Sequence, residues 1–120
     1  MTKKSGKHRP ERLAALIQES VAGALSTLVK DPRVGFLTVT GVTVSPDGSH
    51  ALIRVSVMGD QDEKNRALEG LESARGFLRS HLAKTLTIRT IPELRFELDR
   101  GLEHAQRIDQ ILADLKRDES

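Results

Sequence analysis

Hydrophobic residues in the first third of the chain recur every three or four positions, which is the period of an amphipathic helix. The pattern starts at Leu13, just after Pro10, a residue that suits a first helical position. The helix is expected to end near Asp31, because Pro32 disfavours helical backbone at the residue before it.

Two β-branched segments with alternating hydrophobic residues follow, FLTVTGVTV and HALIRVSVM, with SPDGS between them. Proline, aspartate and glycine favour a turn, so the three segments predict a β-hairpin. The alternation slips at Gly41, where we expect a β-bulge. One face of the second strand is hydrophobic and should be packed, and its residues are Ala51, Ile53, Val55 and Val57.

The second half of the chain predicts a long helical segment, a third strand and a last helix. Asp60 and Glu63 have the spacing of a capping box, and a helical pattern continues as far as Leu82. IPELRFELD alternates as a strand does, and Asp99 can cap a helix over residues 101–116. The order predicts one α+β domain.

The predicted domain covers residues 9–116. Residues 1–8 are basic, contain glycine and serine, and lack a hydrophobic period. They therefore predict a flexible arm, and residues 117–120 predict a short tail.

Gly76 lies within the long helical segment, where a glycine costs about 1 kcal/mol relative to alanine. One interpretation is a glycine that a continuous helix tolerates for packing. The other is a kink at Ala74 and Gly76 that divides the segment into two helices. Free N–H groups at the start of the second helix could then hold an anion.

Positive charge is concentrated in two segments, although the net charge is only +2. Residues 1–12 contain five cations and one acid, and residues 73–92 contain four cations, one histidine and no acid. Such segments predict a surface that meets a polyanion on one side. The residues concerned are Lys3, Lys4, Lys7, Arg9, Arg12, Arg75, Arg79, His81, Lys84 and Arg89.

The aromatic content limits how a nucleic acid could be recognised. The chain has three phenylalanines and no tryptophan or tyrosine, and each phenylalanine lies in an apolar pattern that predicts burial. Sequence-specific readers of single strands stack bases on exposed aromatic rings. We therefore expect contacts with the phosphate backbone to dominate RNA binding.

The composition disfavours other classes of protein. The absence of cysteine excludes disulfides, thiol nucleophiles and cysteine-bound zinc. The four histidines are dispersed and no hydrolase or nucleotide-binding motif occurs, so we expect no catalysis, metal, cofactor or small-molecule substrate. No apolar run has the length of a membrane span and the basic start lacks a signal-peptide core, which predicts a soluble cytoplasmic protein.

Three segments that include these elements resemble one family when they are taken together. They are DPRVGFLTVTGVTVSPDGSHALIRVSV at 31–57, Ala74-Arg75-Gly76, and IPELRFELDRGLEHAQRI at 91–108. In this order and spacing the chain resembles the ribosome-binding factor A family of bacterial small-subunit assembly factors over nearly its whole length. The resemblance implies a K-homology domain of the second type, with a three-stranded mixed sheet and helices packed on one face. In this family, Ala-x-Gly at a bend between two helices replaces the Gly-x-x-Gly loop of ordinary K-homology domains. We therefore do not expect this chain to clamp four unpaired nucleotides as that loop does.

The resemblance implies a non-catalytic, monomeric factor that binds free immature small (30S) subunits and assists late maturation and 5′-end processing of 16S rRNA. It also implies contacts near the 5′-terminal helix and the neck, and we expect the largest effect in the cold. We assign phosphate contacts to Arg75, Arg79, Lys84 and Arg89, a hydrogen bond to His81, and a tether to the cations of residues 1–12. Arg33 is expected to cap or pair with Asp31.

Two alternatives stay open from the sequence alone. A protein-interaction module of a ribonucleoprotein, without direct RNA readout, would use the open sheet face or the last helix. An enzyme would need a catalytic constellation that the motifs do not provide. The last helix could pack on the core or contact a ribosomal protein.

Overall fold

Two long helices and a three-stranded sheet make up most of the fold. The computed structural model describes residues 2–35, 37–100 and 111–117, with side chains from residue 10 onward. The main elements are α1 (Thr2–Thr27), β1 (Leu37–Val44), β2 (His50–Val57), α2 (Gln61–Thr85) and β3 (Glu93–Leu98). A short 3-10 helix (Pro32–Val34) joins α1 to β1, and residues 111–117 form the helical segment α3.

The sheet is mixed, as expected, and has the strand order β1-β2-β3. β1 and β2 form the predicted antiparallel hairpin, whereas β3 runs parallel to β2 with Leu94 opposite Ala51. The register shifts between Val39 and Gly41, which confirms the predicted bulge. A Cβ at Gly41 would lie 1.8 Å from Nη2 of Arg54, so only glycine lets this guanidinium lie against the strand.

The core lies between one face of the sheet and the two long helices. α1 packs mainly over β1, and α2 packs against β3. Ile17 of α1 and Leu78 of α2 are both completely buried in this layer. The predicted packed face of β2 is confirmed, because the core contains Ala51, Ile53 and Val55 and contacts Val57.

α3 lies on the opposite face of the sheet. Leu52, whose neighbours along β2 point into the core, is buried against Leu112 of α3. Nζ of Lys116 lies 3.5 Å from the carboxylate of Asp47 in the hairpin turn. The expectation that the helices pack on one face therefore holds for α1 and α2, while the apolar position at Leu52 draws α3 to the second face.

The ends of the helices differ from the predictions. α1 begins at Thr2 rather than at Pro10, so the backbone of the expected flexible arm continues the helix. A helix that has already formed gains one hydrogen bond for each added residue, and an internal proline removes only one such bond. α1 also ends earlier than predicted, at Thr27. The expected start of the last helix lies in residues 101–110, outside the described residues.

Asp47 holds the hairpin turn together through its carboxylate. Its Oδ1 accepts hydrogen bonds from the Ser49 hydroxyl at 2.7 Å, the Ser45 hydroxyl at 2.9 Å and the Ser49 N–H at 3.1 Å. These bonds, of which the one from the Ser49 hydroxyl is the strongest, hold the pKa of Asp47 well below its ordinary value. Gly48 supplies the positive φ of 77° that the turn requires.

We expect Asp47→Asn to reduce the acid sensitivity of the fold. A carboxyl group whose pKa is lowered on folding stabilises the protein above its unfolded pKa of about 4, and this contribution is lost as the pH falls towards the folded-state pKa. The group is partly exposed, so the difference should stay within about 1 kcal/mol. Urea unfolding at about pH 7 and about pH 3 measures it. Equal losses of stability in wild type and variant would contradict this expectation.

Candidate nucleic-acid interface

α2 carries most of the residues that the sequence assigns to RNA binding. It begins with the predicted capping box, in which Glu63 N–H donates to Asp60 at 2.9 Å and Asp60 N–H donates to the Glu63 carboxylate at 3.1 Å. The helix then continues through Ala74 and Gly76 to Thr85 without interruption. The prediction of two separate helices is therefore wrong, and a continuous helix offers an anion no free N–H groups at Gly76.

Gly76 is exposed and has open space around it. A Cβ built at this position would meet nothing within 4 Å, and the backbone does not adopt positive φ there. Neither packing nor backbone conformation therefore requires a glycine, although its presence costs about 0.5–1 kcal/mol relative to alanine. The interpretation in which a continuous helix tolerates Gly76 is therefore confirmed, although no neighbouring atom packs on the glycine itself.

Arg75 and Arg79 share one flank of α2 but have different surroundings. Arg79 donates through Nε to the carbonyl of Pro92 at 3.1 Å and through Nη2 to the carbonyl of Ile91 at 3.0 Å. It thereby ties α2 to the segment that leads into β3. Nη1 of Arg75 lies 3.7 Å from the Glu72 carboxylate, an exposed ion pair that stabilises by at most about 1 kcal/mol. Arg75 can exchange this partner for a phosphate at little cost.

His81 and Lys84 lie on the other flank of α2. Arg75 and Lys84 are nine positions apart, and at about 100° per residue this separation places them on opposite sides of the helix. His81 stacks on Phe77 with ring centroids 6.3 Å apart and an interplanar angle of 17°. Lys84 is exposed, and within the described part of the chain it forms no ion pair. The acid-free segment therefore gives two separate basic flanks.

Arg12 and Arg89 come from different basic segments and line the same cleft. The cleft has a volume of about 500 Å³ and lies between α1, the hairpin turn and the loop that joins α2 to β3. Both arginines are exposed. Thr87 and Thr90 add hydroxyl groups to the wall, and Asp47 adds a carboxylate. Here the fold brings the two basic segments together, which the sequence could not show.

Arg33 pairs with Asp31, which confirms that prediction. Its Nε donates to both carboxylate oxygens at 3.0 Å, and this contact lowers the pKa of Asp31. Nη2 of Arg33 also lies 3.4 Å from Oγ of Ser73 on α2. Arg33 therefore links the 3-10 helix to α2.

The tether assigned to the N-terminal segment remains a prediction. The side chains of Lys3, Lys4, Lys7 and Arg9 lie outside the described part of the structure. Only Arg12 of that group can be placed, at the cleft with Arg89.

Phe77 is more exposed than its apolar sequence pattern predicts. It was expected to be buried, but 47% of its surface is exposed. Leu78, the next residue, points into the core, and a helix turns by about 100° between neighbours. Comparing Phe77 with the buried positions Ala74 and Leu78 on a helical projection would have revealed its position at the edge of the buried face.

Two other kinds of site are not found in the described ranges. No group of three or more histidine, aspartate and glutamate side chains is placed to hold a metal ion. Neither α1 nor α2 combines the length and the apolar character that crossing a bilayer demands.

Comparison with known proteins points to one family. The model of the family Ribosome-binding factor A matches residues 9–112. A relative of that name from Dictyoglomus thermophilum is 49% identical over 110 residues, which cover 91% of this chain and 92% of the relative. Another, from Rhodopirellula baltica, is 48% identical over 107 residues, or 89% of this chain and 78% of the relative.

Solved structures support the same fold. The crystal structure of ribosome-binding factor A from Thermus thermophilus is 30% identical and has a TM-score of 0.68, with 77% of this chain and 97% of that chain covered. A homology model of the Thermus thermophilus protein, fitted into the cryo-electron microscopy map of a 30S complex, is 31% identical with a TM-score of 0.60. The match covers 73% of this chain and 92% of that one.

Proposed function

Because this chain belongs to the ribosome-binding factor A family, we propose that it binds free, immature small ribosomal subunits through the phosphates of 16S rRNA. The observation that carries the proposal is the cleft that Arg12 and Arg89 both line. Two basic segments that converge on one open surface suit a polyanion better than a small molecule. The relative fitted into a 30S map supports this choice of partner.

The cations have different roles in this proposal. Arg12, Lys84 and Arg89 are exposed and are assigned direct contacts with phosphates. Arg75 contributes from the opposite flank of α2 by exchanging its weak contact with Glu72. Arg79 donates hydrogen bonds to the carbonyls of Ile91 and Pro92, and it thereby positions the segment that leads into β3.

Binding alone can assist maturation when it shifts a conformational equilibrium. A factor that binds one RNA arrangement more tightly than another changes their populations by about tenfold for every 1.4 kcal/mol of difference. We assign this effect to late maturation and 5′-end processing of 16S rRNA in the cytoplasm, with the chain acting as a non-catalytic monomer. The benefit should be largest in the cold, when RNA rearranges slowly.

Sedimentation of cell extract tests the proposal. The protein is expected on free small subunits and not on translating ribosomes, and its deletion should cause precursor 16S rRNA to accumulate at low temperature. A protein found at the top of the gradient or on polysomes, together with normal rRNA processing in the deletion strain, would exclude the proposed function. Wild-type cells carrying the tagged gene at its own locus provide the control.

The Gly76→Ala variant measures separately how this glycine affects the stability of the fold and how it affects binding to small subunits. The variant is expected to gain about 0.5–1 kcal/mol of unfolding free energy, because alanine is the better helix former and meets no neighbouring atom. If RNA approaches the bare backbone at Gly76, the same variant should bind small subunits less tightly. Urea unfolding and a pelleting assay measure the two effects. A variant that is no more stable than wild type contradicts the first expectation.

A further inference from the structure

Phe77, which is exposed, and His81, which is half-buried, form a pair of rings at the centre of a row along α2. The row consists of residues four positions apart, which share one flank of a helix. Its members are Ser73, Phe77, His81 and Thr85. The two rings are nearly parallel, at 17°, and 47% of the Phe77 surface remains open to solvent.

Both ends of this row are held by hydrogen bonds to other parts of the fold. Ser73 is contacted by Nη2 of Arg33 at 3.4 Å, and the hydroxyl of Thr85 lies 3.1 Å from that of Ser20 on α1. The chain from Ser20 to Arg33 therefore runs antiparallel to α2 along this flank. Between the two contacts the rings of Phe77 and His81 lie on this flank of α2.

Cations are close to both ends of this row, but the carboxylate of Asp31 already balances the charge of one of them, Arg33. Arg33 lies at the Ser73 end, where its pairing with Asp31 fixes its position. Lys84 precedes Thr85 at the other end and, among the described residues, has no acidic partner. Aromatic faces next to cations are the combination with which proteins bind single-stranded nucleic acids.

We propose that an unpaired RNA base stacks on the ring of Phe77 while Lys84 contacts an adjacent phosphate. This inference rests on the proposed function and extends it from backbone contacts to a base contact. His81 supports the Phe77 ring from the next turn of the helix. Stacking accepts any base, whereas a duplex keeps its bases paired and out of reach.

The composition of the chain provides a direct test. There is no tryptophan or tyrosine, so Phe77→Trp introduces a single indole at the centre of the row. A single-stranded oligoadenylate of about eight nucleotides is expected to quench its fluorescence, and a short RNA duplex is not. Met58→Trp is the control, because Met58 is 80% exposed and lies before the start of α2, about 24 Å along the helix from Phe77.

Affinities for the same oligoadenylate complete the test. Phe77→Ala and Phe77→Leu should both bind it about five- to a hundredfold more weakly than wild type, as expected when one stacked base loses its aromatic partner. Unchanged melting temperatures would show that both variants fold. If Phe77→Leu binds like wild type, or if duplex quenches as well as single strand, the stacking proposal is overturned.

The two proposals fail in different ways. A wild-type chain that does not bind small subunits at all overturns the proposed function. Normal, salt-sensitive binding of subunits by wild type, together with no quenching in Phe77→Trp, overturns only the stacking inference. Loss of subunit binding in Phe77→Ala with normal binding in Phe77→Leu and no quenching would show that this patch contacts a ribosomal protein instead.

Discussion

Arg79→Ala is expected to destabilise the fold by about 2–4 kcal/mol, because it removes two charge-assisted hydrogen bonds from a half-buried position. The carbonyls of Ile91 and Pro92 would lose their partner on α2, and Pro92 is fully buried. These carbonyls fix the path of the chain into β3. The loss should therefore appear as a lower free energy of unfolding in urea and as a lower melting temperature.

Arg75→Ala is the matched control for this variant. Arg75 lies one helical turn away on the same flank, and its exposed ion pair with Glu72 contributes at most about 1 kcal/mol. Arg79→Lys should fall between wild type and Arg79→Ala, since an ammonium group keeps the charge but not the paired geometry. Equal stability of the Arg75→Ala and Arg79→Ala variants would disprove the positioning role of Arg79.

The strands and the hairpin could be predicted because their determinants are local. The turn residues of SPDGS and the alternation on both sides fix the register, and the slip at Gly41 marks the bulge. The capping box of Asp60 and Glu63 is likewise a short-range signal. Each of these features depends on residues within a few positions of one another.

The continuity of α2 was mispredicted because helix propensity was given too much weight against packing. A glycine at position 76 costs only about 1 kcal/mol relative to alanine. Leu71, Leu78 and Leu82 are completely buried, and burial of one leucine side chain contributes about 1.5–3 kcal/mol. Leucines on both sides of Gly76 therefore hold the helix together across it.

Only part of the candidate site could be predicted from the sequence. The identity of the cations was clear, and the period of the helix already implies that Arg75 and Lys84 lie on opposite flanks. The carbonyl contacts of Arg79 and the presence of Arg12 and Arg89 in one cleft depend on how distant segments pack. A count of charges along the chain cannot predict such contacts.

Simultaneous replacement of Arg12, Lys84 and Arg89 by alanine is expected to weaken binding to small subunits about a hundredfold at about 0.1 M salt. Each phosphate contact releases counterions and contributes about 0.7–0.9 to the slope of log affinity against log salt concentration. Loss of three contacts should therefore reduce that slope by about 2–3. Equilibrium pelleting at several salt concentrations measures both quantities.

The control must remove the same charge from another part of the surface. Lys30, Arg95 and Arg100 are exposed and lie outside both the cleft and α2. Their triple alanine variant has the same net charge as the first, so a general electrostatic attraction would weaken both equally. Binding through discrete phosphate contacts at the cleft predicts a reduced slope for the first variant and a nearly unchanged slope for the second. If the two slopes fall together, the assignment of these contacts to Arg12, Lys84 and Arg89 must be abandoned.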